Sequence, residues 1–330
     1  MTPDGLRSAR GAGLAAVTAS LVLLLAACGG SGGETVDVTV EPGASAQRVA
    51  ERLNEAGLVD HPRIFTLYAR LRGAGSGLKS GHYRLARNAS WEELLDAIRS
   101  GRVVTHPVTI PPGFTLRQIA PRIADVAGVS ADSVLALGRD SALAAELGVP
   151  GPHLEGYLFP ETYRFASGVS PRRALAAMVS RYRDFWGPEQ RARLDSLGMS
   201  EREVVTLASI VEREARVPGE RRVIAGVYAN RLQEGMRLQA DPTVQYLLDT
   251  PKERLLYSDI DRVADSPYNT YTHAGLPPGP IASPGDASLR AALDPADVPY
   301  LYFVARPDGA HIFTRTREEH VAAKNSVREP

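Results

Sequence analysis

In the stretch "TLASIVEREAR", Thr206–Arg216, two carboxyls, Glu212 and Glu214, stand two residues apart at the end of an apolar run. A carboxyl beside apolar side chains suits proton transfer, because burial disfavours its charged form and moves its pKa toward the working pH. An ordinary Glu, with a pKa of about 4.3, is protonated only about 0.2% of the time at neutral pH; a rise to about 6 recovers roughly a tenth of the acid form. The helix that carries both residues reads as "SEREVVTLASIVEREA". Ser200 and Glu203 make a capping box, and Val204, Leu207, Ala208, Val211 and Ala215 repeat at helical spacing as its buried stripe. At about 100° per residue the two glutamates fall on opposite margins of that stripe, each about 80° from its centre. Spacing does not choose between them. Arg216, four residues after Glu212, is placed for an ordinary exposed ion pair with it.

Other chemistries have less to work with. The seven histidines are scattered, with no HExxH pattern, and Cys28 is the single cysteine, so no metal site is expected. Lysine occurs only at Lys79, Lys252 and Lys324, none in a motif that supports a Schiff base, and no cofactor is expected. Lys+Arg and Asp+Glu are both 38, which gives no net field to favour nucleic acid.

The elements that must position these groups follow from pattern. "SPRRALAAMVSRYRDFW" reads as a helix capped by Ser170 with Pro171 in its first turn, and "ERRVIAGVYANRLQEG" as another, ending at Gly235. Between Ser266 and Gly285 runs a long Pro/Gly-rich loop, "SPYNTYTHAGLPPGPIASPG", of the length expected for a binding or lid loop. Its Tyr268, Asn269 and Tyr271 offer flat faces and an amide suited to sugar rings. Upstream, "GPHLEGYLFPETYRF" holds Glu155 and Glu161 in a segment that is neither clean helix nor clean strand, and residues 124–150 read as connecting structure. A closing hairpin turns at Asp308-Gly309. Two stretches, Val38–Leu53 and Val108–Ile123, match each other as strand, Pro-Gly turn, Ser45 or Thr115 cap, and amphipathic helix. Neither closes a core alone, so each is expected to pack with a neighbour.

At the N-terminus, Arg7 and Arg10 precede an apolar run and then small residues, the layout of an export signal. "LAAC", Leu25–Cys28, resembles the lipobox of bacterial lipoproteins, which implies cleavage before Cys28 and its acylation; an uncleaved membrane anchor is the alternative. The strand–turn–helix pattern of 35–104 resembles the LysM module that binds cell-wall glycans.

"EGYLFPETY", "LASIVEREA", "NRLQEGMRLQADPTVQY", "YNTY", "GLPPGPIASPG" and "YLYFVA" stand in that order. Together they resemble the endolytic murein transglycosylases, the YceG-like or MltG family. The expected organisation is a signal or anchor at 1–27, a flexible spacer at 28–34, a LysM-like module at 35–104, a second strand–helix unit and connector at 105–150, and a catalytic domain at 151–330. The fold class expected is α+β, a small LysM-like α/β module followed by a mixed α+β domain. The resemblance implies cleavage between N-acetylmuramic acid and N-acetylglucosamine within peptidoglycan strands, leaving 1,6-anhydro ends. It implies Glu212 as the catalytic acid, with Glu214 next. Around the acid, Glu161, Gln239, Asp241, Tyr268, Asn269 and Tyr271 are expected to bind substrate. Glycan strands, the membrane and peptidoglycan synthases are the implied partners. One acid suffices, because the sugar's own 6-hydroxyl attacks with a high effective concentration; hydrolytic glycosidases use a second carboxylate. Two other functions fit the same residues: a lysozyme-type muramidase, and a glycan-binding lipoprotein without catalysis.

Overall fold

The structure, a computed structural model, describes residues 34–328 and divides at Val104/Thr105 into two compact units. Cys28 and the export-signal segment lie outside the described residues.

The first unit runs β1 (Thr35–Val40), α1 (Ala46–Glu55), α2 (Pro62–Leu71), β2 (Gly81–Ala86) and α3 (Trp91–Ser100). Ser45 caps α1 by accepting the Arg48 N–H at 3.2 Å, and α3 opens with a capping box from Ser90 and Glu93 and stops at Gly101, whose φ of 74° suits glycine. β1 and β2 pair antiparallel with Val38 opposite Tyr83. The helices bury Leu53, Phe65, Leu94 and Ile98 against that two-stranded sheet, which gives the unit its own core.

In the second unit β3 (Thr105–Thr109) leads into α4 (Leu116–Ala127), α5 (Ala131–Gly138) and α6 (Ser141–Glu146). After an irregular segment, β4 (Thr162–Ala166) pairs antiparallel with β3, Thr105 opposite Ala166 and Thr109 opposite Thr162. Residues 105–150 therefore share one unit with everything that follows, and the division expected at 150/151 falls inside a sheet. Residues 124–150 are not connecting structure either: α5 and α6 send Val134, Leu143 and Ala144 into the core.

The chain continues as α7 (Pro171–Phe185), α8 (Pro188–Leu197), α9 (Glu201–Glu214), α10 (Arg221–Gln233), α11 (Asp241–Leu247), α12 (Tyr257–Arg262) and α13 (Asp286–Leu293). It ends in a hairpin, β5 (Tyr302–Ala305) with β6 (His311–Thr314), and α14 (Arg317–Arg328). α9 is the central element. All eight residues from Val204 to Val211 are buried, so the helix is enclosed on every side there rather than along one stripe. Its polar residues are satisfied internally: Thr206 donates to the Arg202 carbonyl, and Ser209 donates to the Thr206 carbonyl while accepting the Ile281 N–H. Beyond that run, the first turn, Glu201–Glu203, and the last, with Glu212 and Glu214, reach the edge of the core. Among the described residues no helix is long and apolar enough to cross a membrane.

Candidate active site

The two glutamates of α9 have different surroundings. The Glu212 side chain is only 7% exposed, and both its oxygens are engaged: Oε2 accepts the Gly285 N–H at 2.9 Å and Oε1 lies 3.6 Å from Arg221 Nη2. Arg221 also donates to the Ser288 hydroxyl at 3.1 Å. Glu212 thereby ties the end of α9 to the start of both α10 and α13. Its basic partner is Arg221 rather than the expected Arg216.

Glu214 is the last residue of α9, since the chain becomes extended at Ala215. Like Glu212 it is intermediate in exposure as a residue, and its one protein donor among the described residues is the Tyr228 hydroxyl of α10, 2.8 Å from Oε1. Burial pushes its pKa up to about 7; the Tyr228 hydrogen bond opposes the rise, the negative charge of Asp241 adds to it, and Arg231 and Arg213 pull it down. A carboxyl at that value is about half protonated at neutral pH. Protonated and within reach of solvent, it can give a proton to a substrate and take one back.

Asp241 opens α11, and the Tyr271 hydroxyl donates to its carboxylate. The fields of Asp241, Glu214 and Arg231 all act on Tyr271, so these four groups form one cluster. A buried polar clamp holds it together. The Gln239 N–H donates to the Thr270 carbonyl at 3.0 Å, the Ala240 N–H to the Thr270 hydroxyl at 3.0 Å, and the Thr243 and Thr270 hydroxyls bond at 2.9 Å. Gln239 has a φ of 48°, the one positive value at a non-glycine among the described residues, a conformation that costs roughly 1–2 kcal/mol and persists only when neighbours enforce it. Arg231, buried in α10, donates to the carbonyls of Leu301, Arg237 and Leu238, which ties that helix to the residue before β5 and to the segment that follows the helix.

The family model described as YceG-like matches residues 38–326 of this chain. The chain belongs to the YceG-like family. It is 33% identical over 305 residues to the endolytic murein transglycosylase of Bacillus subtilis, covering 88% of this chain and 84% of that one. A Streptococcus pneumoniae protein of the same name is 30% identical over 86% of this chain, which spans 57% of its length. The crystal structure of a yceG-like protein from Listeria monocytogenes superposes with a TM-score of 0.61 at 34% identity, covering 88% of this chain and 99% of that one.

Within this YceG-like fold the residues anticipated around the acid separate into groups. Asp241 and Tyr271 meet at Glu214, with exposed Gln239 two residues before Asp241. Asn269 is fully buried, its amide donating to the carbonyls of Ile260 and Val263 and accepting the Tyr271 N–H; it shapes the loop from within. Tyr268 packs on Tyr246 with ring centroids 5.3 Å apart, on the side of Glu155. Glu161 is an exposed partner of Arg181 at 2.6 Å, at the end of the β3–β4 sheet, and touches none of the cluster. Sequence reasoning missed Tyr228 and Arg231, which lie in a helix that reads as plain core; no local signal marks a tyrosine whose hydroxyl meets a carboxyl 14 residues away.

Proposed function

We propose that this chain is an endolytic murein transglycosylase, with Glu214 rather than Glu212 as its single proton carrier. The observation that carries the assignment is a carboxyl with its pKa raised to about 7, grouped with Asp241 and Tyr271 and bonded at one oxygen only, while its neighbour Glu212 has both oxygens engaged. Further support comes from the YceG-like family match and from the B. subtilis relative that bears this name. Glu214 gives its proton to the glycosidic oxygen as the bond from the N-acetylmuramic C1 breaks. The resulting carboxylate takes the proton of the muramic 6-hydroxyl as that oxygen bonds to C1. The enzyme returns to its starting state, no water is consumed, and a 1,6-anhydro end results. Asp241, held by Tyr271, adds negative charge beside positive charge developing at C1. The Tyr228 bond to Oε1 leaves Oε2 free for the transferred proton.

The test is digestion of purified glycan strands by the wild type, Glu214→Gln and Glu212→Gln, with products weighed. Anhydro ends are lighter by one water than reducing ends. Glu214→Gln is expected to lose roughly 10³-fold or more in rate, and Glu212→Gln to keep measurable turnover. Near-wild-type activity in Glu214→Gln would remove the assignment, and reducing ends would make the enzyme a muramidase.

The substrate puts the site of action outside the cytoplasm. For the rest of the chain we propose a LysM-like glycan-binding role for 35–104, supported by its strand–helix–helix–strand order, and tethering through Cys28, supported by the lipobox. Peptidoglycan synthases are the partners proposed. Co-sedimentation of 34–104 with glycan strands, the mass of the mature N-terminus and capture of synthases on the full chain test these in turn.

A further inference from the structure

α11 spans two environments. Asp241, at its first residue, belongs to the Glu214 cluster; Gln245 and Tyr246, one turn or about 6 Å further along the axis, line a cavity of about 300 Å³. Arg213, the residue before Glu214, lines the same cavity, as do Arg117 and Arg139. The cavity therefore adjoins the acid, separated from it by one helical turn.

Three arginines converge on this one recess. Among the described residues Arg117, Arg139 and Arg213 pair with no carboxylate, whereas Arg221 beside the acid is paired with Glu212. Arg213 donates only to the Gly113 carbonyl, at 3.3 Å. The cavity's buried carboxyl, Glu155, is 5% exposed and already spends its oxygens on the Leu116 N–H at 2.9 Å and the Tyr246 hydroxyl at 3.4 Å. Burial pushes its pKa up to about 7, so its negative charge is partly removed at neutral pH. Exposed Asp249 is the other carboxylate on the rim. Three guanidinium groups against at most two carboxyls, one of them half neutral, leave a net positive recess with unspent fork-shaped donors. Guanidinium groups in that state bind carboxylates or phosphates, and muramic residues carry carboxylates.

We propose that this cavity seats a carboxylate carried on the lactyl side chain of a muramic residue next to the bond that is cut, so that the enzyme reads the substituent of the glycan as well as its sugars. This inference rests on the glycan-cleaving function proposed above. Two sources share the chemistry: the bare lactyl carboxylate of a stripped strand, and the free carboxylates of an attached peptide stem.

The experiment compares three strand preparations: intact peptide stems, stems removed by an amidase to expose the lactyl carboxylate, and the stripped strands with that carboxylate converted to a methyl amide. kcat/KM is measured for the wild type and for an Arg117→Gln/Arg139→Gln double variant, and equilibrium affinity for the same strands is measured on the Glu214→Gln protein. A hydrogen-bonded charge contributes about 1.5–3 kcal/mol, so at least one carboxylate-bearing strand is expected to exceed the amide by about tenfold or more in both kcat/KM and affinity. The double variant is expected to bring the kcat/KM ratio to about one. An advantage confined to stripped strands assigns the lactyl carboxylate, and one confined to intact strands assigns the stem; either supports the proposal. Equal values on all three strands, or an unchanged ratio in the double variant, would overturn it. If no strand yields anhydro ends while the affinity ratio persists, the proposed function fails and the cavity's selectivity stands.

Discussion

A carboxyl with a pKa of about 7 gives an acid catalyst a specific pH signature. The first proton transfer needs the protonated form, so kcat should be level below about pH 7 and fall tenfold per unit above it. The Tyr228 hydroxyl donates to Glu214 and so favours its charged form. Removing that bond in Tyr228→Phe should raise the Glu214 pKa, by about one unit if the bond is worth about 1.4 kcal/mol, and move the alkaline limb up with it. A pH–rate profile of the two proteins checks the sign; a limb that stayed in place would break the link between Tyr228 and the acid. The sequence carried both glutamates to the helix margin and stopped there. Periodicity reports an angle around the axis. What separates Glu212 from Glu214 comes from residues far along the chain, Gly285 at a distance of 73 positions and Tyr228 at 14.

At the scale of elements, α10 carries Tyr228 and Arg231 and must lie close to the segment before β5. Asn230 donates to the carbonyls of Val298 and Tyr300 there, and Arg231 to that of Leu301. Gly226 makes the approach possible: a Cβ at that position would stand 2.3 Å from the Ala296 carbonyl oxygen and 2.9 Å from Val298 Cγ2. Helix propensity alone would have Gly226→Ala stabilise by about 1 kcal/mol. Overpacking against backbone costs about 1–3 kcal/mol and should win, so a lower melting temperature is expected together with a displaced alkaline limb. A higher melting temperature would show that the contact yields freely. Elements with a strong local signature were legible in advance: the capping box of α9, the Ser170-Pro171 start of α7 and the Ser45 cap of α1 all lie where the residues put them. α5 and α6, of 8 and 6 residues, complete too few turns to show a period and read as connecting structure. The full enclosure of α9 was illegible for another reason. Its outer face is covered by an irregular segment around Ile281, which has no periodicity to read.

For the whole molecule, Glu155 makes stability depend on pH. Its folded pKa of about 7 exceeds the ordinary value of 4.5, so between those values the folded state holds a proton that the unfolded chain has released. Stability should therefore fall as pH rises from about 4.5 to 7 and level off above, by about 3 kcal/mol from Glu155 and a similar share from Glu214, whose pKa is raised to the same value. Glu155→Gln, which keeps an acceptor for the Leu116 N–H, should remove about half of that slope in denaturant titrations, the rest coming from Glu214. The same residue bears on where the chain can be cut. Its partner Leu116 lies before position 151, as do the β3 strand that pairs with β4 and the buried Ile119, Ile123, Val134 and Leu143. Burying each of those four side chains is worth about 1.5–3 kcal/mol, or roughly 6–12 kcal/mol together, against a total stability of about 5–15 kcal/mol for a typical domain. A fragment of 151–330 should consequently fail to fold, its β4 edge unpaired, whereas 105–330 should unfold cooperatively on heating. Residues 34–104, with their own core of Leu53, Phe65, Tyr83, Leu94 and Ile98, should do the same. Calorimetry on the three fragments decides it: a cooperative transition in 151–330 would mean that α4 to α6 are an appendage, and the catalytic unit would then span the 151–330 expected from the sequence.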